Sequence, residues 1–126
     1  MHNISSPRTD DSAIEQEIVA KGLTKPRVTP QDIEENIVSC YFFTASEGVF
    51  GEEVSNQRPN AVYEKSLDLL TFCVLVLRNG FTVTGESACA SPENFDADIG
   101  KKIARENAKQ KIWPLMGYAL KERLSK

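Results

Sequence analysis

Residues 69–86 read LLTFCVLVL (69–77), RNG (78–80) and FTVTGE (81–86). The first segment is the most apolar run in the chain, rich in β-formers and too short for a membrane span. Asn79-Gly80 ends it, and an Asn-Gly pair between apolar runs is the strongest short signal for a β-hairpin, because a type I′ turn needs positive φ at both central residues. A two-residue turn sets Arg78 opposite Phe81, Val76 opposite Val83 and Val74 opposite Gly85. That register predicts one face carrying Val74, Val76, Phe81 and Val83, and another carrying Cys73, Leu75, Leu77, Thr82 and Thr84. Two strands are marginal alone, and the first is apolar on both sides, so further elements must cover it. Helices are expected on one face. A third strand from the 45–60 region, or a second subunit, is expected on the other face or at the edge.

Downstream, Ser91-Pro92-Glu93-Asn94 has a cap residue followed by proline, which predicts a helix starting between Pro92 and Phe95. Its expected buried stripe is Ile99, Ile103, Ala108, Ile112 and Leu115, with Ala104 permitting close approach. Pro114 lacks an amide and its ring clashes with the preceding turn, so the long C-terminal helix should kink or break near Trp113. Leu115, Tyr118, Ala119 and Leu124 are expected to continue the apolar face.

Upstream, Thr29-Pro30-Gln31-Asp32 is a strong helix start: a hydroxyl cap, proline in the first turn and an acid at the third position. Ile33, Ile37, Cys40 and Tyr41 recur at helical spacing, so the helix is read through to Phe42, with Val38 and Phe42 widening the stripe. The 45–60 stretch reads as a long loop, with Val49 and Phe50 able to form one short strand. Asn60 is placed to cap a helical turn through Tyr63 and Leu67. Residues 1–9 are read as a flexible tail. A short peripheral helix from Ser12 to Lys21 follows, with Ser12 and Glu15 at capping-box spacing and Gly22 as its C-terminal cap. The organisation is therefore a tail and peripheral helix over residues 1–27, and one α+β domain over residues 28–126. In that domain an antiparallel hairpin packs against two to three helices.

Composition bounds the function. At 126 residues, 40% apolar and 26% charged, the chain has room for one globular domain and no second catalytic one. No apolar run reaches the ~20 residues of a membrane span, and the first residues lack an apolar signal core, so the protein is expected in the cytosol without membrane contact. Cys40, Cys73 and Cys89 lack the spacing of a zinc ribbon and are odd in number, so reduced thiols are expected. His2 is the one histidine and falls in the tail. That leaves little material for His-based acid–base chemistry, Cys-His nucleophiles or zinc, and no enzymatic role or cofactor is expected.

Charge divides unevenly: residues 1–68 hold six Lys and Arg against twelve Asp and Glu, while residues 69–126 hold nine against six. Lys101, Arg105 and Lys109 recur at four-residue intervals with Lys102 adjacent, a basic stripe of the kind that can neutralise phosphates. Cations on the solvent side of an amphipathic helix give the same pattern. Ser87, Ser91 and Asn94 lie where a strand delivers the chain to a helix start, whose unpaired amides favour anions. The candidate ligand-binding residues are thus Ser87, Ser91, Asn94, Lys102, Arg105 and Lys109. Plain helix capping also accounts for the serines and Asn94, and Glu93, Asp96 and Asp98 already neutralise that dipole.

The blocks VTPQDIEENIVSCYFFTASEGV (28–49), NGF (79–81), GESACASPENFD (85–96) and KIWPL (111–115) resemble those of a small tailed-bacteriophage family, that of gene product 49 and gene 66. The resemblance runs from about residue 28 to 124. It implies a phage accessory protein acting in the cytoplasm of the infected bacterial host, and brings no catalytic residues with it. Two modes follow as expectations. One is a homo-oligomeric binder that engages or inhibits a host or anti-phage defence protein. The other is binding of a nucleotide or nucleic acid through the basic C-terminal helix.

Overall fold

The computed structural model describes residues 11–57 and 62–126. Three antiparallel strands form one sheet in the order β1-β2-β3, where β1 is Ile37–Thr44, β2 is Leu70–Leu77 and β3 is Thr82–Ala88. Among the described residues five α-helices accompany it: α1 (Asp11–Ala20), α2 (Pro30–Glu35), α3 (Ala45–Ser55), α4 (Ala97–Gln110) and α5 (Ile112–Leu124). Short 3-10 turns at Lys65–Leu69 and Pro92–Asn94 lead into β2 and toward α4. The class is α+β, as the hairpin and its flanking periodicity indicate. The predicted tail and the Asn60 cap fall outside the described residues.

The third strand comes from a segment read as helix. Thr29 caps α2 as expected, its hydroxyl accepting from the Asp32 amide while the Asp32 carboxylate accepts from the Thr29 amide. The helix stops at Glu35, however, and residues 37–44 (IVSCYFFT) are strand rather than its continuation to Phe42. β-branched and aromatic side chains favour a pleated, half-buried surface, and pairing with the hairpin outweighs a helical spacing that is also present. Asn36 is the point of departure. Its backbone carbonyl and its side-chain oxygen both accept from the Arg78 amide, at 3.0 and 3.1 Å, pinning the end of α2 to the hairpin tip.

With β1 taken from 37–44, the 45–60 stretch has no need to supply a strand, and most of it is helix. Thr44 ends β1 and caps α3 in one step through a capping box with Glu47. At the N-terminus, α1 begins at Asp11, so Ser12 lies inside it; Glu15, expected to close a capping box, is instead held by both guanidinium nitrogens of Arg27 at 2.6 and 2.7 Å. Gly22 takes the left-handed conformation and ends α1, as its position suggested.

The hairpin exists, but its turn is one residue longer than the Asn-Gly pair implies. Leu77 and Phe81 close the loop: the Leu77 amide donates to Phe81 at 2.8 Å and the Gly80 amide donates to the Leu77 carbonyl at 2.9 Å. Gly80 alone has positive φ, at 89°, so the two-residue type I′ turn, which needs it at Asn79 as well, does not form. The Asn79 side chain accepts from the Phe81 amide instead. The pairs are therefore Val76 with Thr82, Leu75 with Val83 and Cys73 with Gly85. A one-residue shift moves a strand's whole side-chain set to the other face. Val83 accordingly joins Cys73, Leu75 and Leu77 in the core, while Phe81 is 56% exposed.

That core is the face under α4. Ile33, Cys73, Leu75, Leu77, Val83, Ala104, Ala108 and Ile112 form it, with Ile37, Cys40, Phe42 and Met116 packed around. The buried stripe of α4 is narrower and smaller than predicted: Gly100, Ala104 and Ala108 are its buried residues, whereas Ile99 and Leu115 are 46% and 40% exposed. Small residues every fourth position let the helix backbone lie directly on the sheet. The chain needs no Cβ at Gly85 for the same reason, since one there would stand 2.2 Å from the Ala108 amide nitrogen and 2.4 Å from the Ala104 carbonyl oxygen.

The last helix starts later than the Ser91-Pro92 pair suggests. Pro92–Asn94 forms a single 3-10 turn, and α4 begins at Ala97 under the Asp96 cap, whose carboxylate accepts from the Ile99 amide. Residues 97–124 bend by 22°, and the break between α4 and α5 falls at Lys111, three residues ahead of Pro114. Proline cannot donate to the carbonyl four positions back, so the helical ladder is lost between Gln110 and Pro114. Beyond the break, Tyr118 and Leu124 are 72% and 57% exposed, so the apolar face expected on α5 lies largely open.

Candidate functional site

The residues expected to bind a ligand are spread over a buried strand position, the turn before α4 and α4 itself, where Arg105 and Lys109 meet on one carboxylate. Ser87 is 1% exposed and faces α4 from β3, beside Thr71 of β2, which is 3% exposed. Ser91 lies at the 3-10 turn with its hydroxyl donating to Glu93 at 2.6 Å, which holds that carboxyl below its ordinary range, while Asn94 is exposed. Lys102 points to solvent. Arg105 and Lys109 are committed elsewhere: Arg105 donates twice to the Glu34 carboxylate of α2, at 3.0 and 3.3 Å, and Lys109 donates once at 3.1 Å. The basic stripe is thus, in two of its members, a clamp between α4 and α2. Lys101 stands over the Phe42 ring, 5.8 Å from its centre.

The clamp sets the protonation of its members. Hydrogen bonds from Arg105 and then Lys109 hold the Glu34 carboxyl below its ordinary range, against the burial that pushes it up. Burial pulls Lys109 down, but Glu34 and Glu106 together outweigh it and the amine sits above its ordinary value. A depressed carboxylate contributes stability that is present above its unfolded value, near 4.3, and lost as the pH falls through the folded value. The Glu34 side chain is 45% exposed, so the contribution is small, at most about 1 kcal/mol. Glu34→Gln is therefore expected to lower stability slightly at neutral pH and to flatten the acid limb below about pH 4. Denaturation midpoints measured from pH 7 to pH 3 check this; an unchanged acid limb would remove the clamp from the stability balance.

The opposite face of the sheet carries the feature that sequence reading missed. Tyr41 and Phe43 of β1 pair with Val74 and Phe72 of β2, and Ser39 with Val76, so these side chains share the face turned away from α4. Tyr41 is 60% and Phe43 38% exposed, and Phe43 stacks on Phe72 with ring centres 5.6 Å apart. α3 crosses only the Phe43 end, where Gly48 lies under the ring. Tyr41, Val74 and Val76 extend beyond it as an apolar strip, bordered by Thr82, Thr84 and Glu86 of β3. The signal was present in IVSCYFFT, whose aromatic and β-branched content favours a strand, but a helical reading distributes Tyr41 and Phe43 differently.

Concavities flank the sheet. One, of about 230 Å³, lies where β1 runs into α3 and α4 begins, between Phe42, Phe43, Thr44, Phe95 and Lys101. Another, of about 330 Å³, opens at the hairpin tip between Arg78, Arg123 and Met116. Among the described residues, no three His, Cys, Asp or Glu side chains gather as a metal-ligand set.

Fold and surface together define a small α+β protein with one sheet face packed under a helix and the other presented outward. The chain belongs to the N4 Gp49/phage Sf6 gene 66 family of phage proteins, whose family model matches residues 28–124. The matched range begins just before α2 and runs to the end of α5, taking in the whole sheet. Comparison with curated proteins and with solved structures gave no match. Among the described residues no helix is long and apolar enough to cross a membrane.

Proposed function

We propose that this phage protein is an accessory factor that acts by binding rather than catalysis, engaging or inhibiting a host or anti-phage defence component in the cytoplasm of the infected bacterium, and that it works as a homo-oligomer. The outward sheet face carries this reading. A contiguous strip of Tyr41, Phe43, Phe72, Val74 and Val76 is the kind of surface that monomeric soluble proteins seldom leave open and that protein contacts use, aromatic anchors above all. Among the described residues, β1 and β3 each have a strand neighbour on one side, which leaves an edge that a further strand can join.

Tyr41→Lys tests it, because Tyr41 is 60% exposed and its loss opens no core cavity. The wild-type chain is expected to scatter light as a species heavier than 14.0 kDa and to retain a reproducible partner from infected-cell lysate. Tyr41→Lys should lose one or both with its melting temperature within a few degrees of wild type. A monomeric wild type with no reproducible partner sinks the proposal.

The groove at the start of α4 favours a second reading, binding of a nucleotide or nucleic acid. Aromatic walls from Phe42, Phe43 and Phe95 could stack on a base, and Lys101 at the mouth could meet a phosphate. On this reading Ser91, Asn94 and Lys102 lie near the same helix start, while Arg105 and Lys109 contribute only when released from Glu34. Calorimetric titration with cyclic nucleotides and short DNA separates the two: heat that is lost in Lys101→Glu supports the groove, and no heat removes it. Glu34→Gln adds a check, since freeing Arg105 and Lys109 should tighten any polyanion binding.

A further inference from the structure

Two thiols from neighbouring strands meet on the helix-facing side of the sheet. Cys40 of β1 lies opposite Leu75 and Cys73 of β2 lies opposite Phe42, so the two cysteines are diagonal neighbours, and their sulfurs are 3.7 Å apart. That is contact distance, and closing it to the 2.05 Å or so of a disulfide asks β1 and β2 to draw together as the side chains rotate. Their surroundings differ. Cys73 is wholly buried, whereas Cys40 sits on an edge strand, is only half-buried, and has the Arg105 guanidinium, which is bonded to Glu34, in its neighbourhood. Cys89 is separate: buried at the far end of β3, it donates to the Ser91 carbonyl at 3.2 Å.

We propose that Cys40 is a modification site for small disulfide oxidants such as glutathione disulfide, and that Cys73 resolves the adduct into a Cys40–Cys73 disulfide joining β1 to β2. Access and a neighbouring cation are what distinguish reactive cysteines from inert core ones, and Cys40 has both. Cys73 has neither. Burial first, and then its hydrogen bond with Cys40, push the Cys73 thiol up to about 12, so it does not initiate attack.

The chemistry balances as two exchanges. Cys40 gives its proton to solvent, its thiolate attacks one sulfur of the oxidant, a mixed disulfide forms and one glutathione thiolate leaves. Cys73 then attacks Cys40 Sγ, the Cys40–Cys73 bond forms, and the second glutathione leaves as a thiolate that takes up the Cys73 proton. Two protein thiols are oxidised by two electrons, and one glutathione disulfide is reduced to two glutathione thiols.

The test uses the full chain with glutathione disulfide in excess at mildly alkaline pH, followed by acid quench, alkylation and mass spectrometry of an unreduced digest. The expected product is a linked pair of peptides containing Cys40 and Cys73, lighter by two hydrogens, with Cys89 still open to alkylation after unfolding. In Cys73→Ala the glutathione should remain on Cys40, and in Cys40→Ser neither Cys73 nor Cys89 should react in the folded chain. A wild-type chain with no link, a link through Cys89, or a glutathione adduct that persists on Cys40 overturns the proposal. The wild-type digest decides the matter even where a core variant fails to fold.

Discussion

Gly85→Ala is expected to destabilise the protein by about 3 kcal/mol or more, at the upper end of what overpacking costs. The added methyl would meet the Ala108 amide nitrogen at 2.2 Å and the Ala104 carbonyl oxygen at 2.4 Å. Both are backbone atoms of α4, so no side chain can swing aside. Relief requires α4 to lift from β2 and β3, and with it the burial of Ala104, Ala108 and Ile112. A domain of this size should show the change as a fall of about 10 °C or more in melting temperature, or as failure to fold. Gly48→Ala is the control, because its new methyl would make only ordinary 3.6 Å contact with the Phe43 ring. A Gly85→Ala chain as stable as wild type would mean that helix and sheet are not in backbone contact.

The second large effect separates two adjacent residues of one strand. Leu75→Ala should cost about 2–5 kcal/mol, since Leu75 is wholly buried beneath α4 and its removal leaves a cavity among Ile33, Val83 and Ala104. Val74→Ala should cost under about 1.5 kcal/mol where the chain is dilute enough to be monomeric, because Val74 lies on the outward face and is only partly covered by its own chain. Urea denaturation of the two variants gives the comparison directly. Equal losses would mean that the outward face is packed in solution as firmly as the inner one, which is the behaviour expected of a face sealed by another subunit. The contrast is best measured at low micromolar concentration and again tenfold higher.

Most of the architecture could be read from local chemistry. Thr29 with Asp32, Gly22 after α1, the apolar run ending at Leu77 and the disrupting Pro114 each act within a few residues of themselves, and each appears in the fold close to where it was expected. The failures share another cause. Residues 37–44 satisfy helical spacing as well as strand composition, and only pairing with β2, over thirty residues away, decides between them. Thr44 and Glu47 form a capping box that could have marked α3, but the glycines at 48 and 51 masked it. Asn79-Gly80 correctly marked a hairpin without disclosing that Arg78 belongs to its loop, and that single residue reversed the faces of β3.

The candidate site was less legible for a related reason. Lys101, Arg105 and Lys109 are evenly spaced along α4, but spacing does not say what faces them. Glu34 occupies Arg105 and Lys109 from a helix about seventy residues earlier in the chain, and Phe42 lies beneath Lys101. Tyr41 and Phe43 could not be recognised as surface anchors until they were known to lie in a strand.

The loop at residues 78–80 governs more than a change of direction. Pairing Arg78 with Phe81 would leave Asn79-Gly80 as a two-residue link, the form such a pair prefers, and the returning strand would then have to turn over. Thr82, Thr84 and Glu86 would be driven beneath α4, away from water, and Gly85 would leave the place where the helix backbone needs it. Loop length thus acts as a gatekeeper against an inverted fold that the strand sequences alone would only weakly resist.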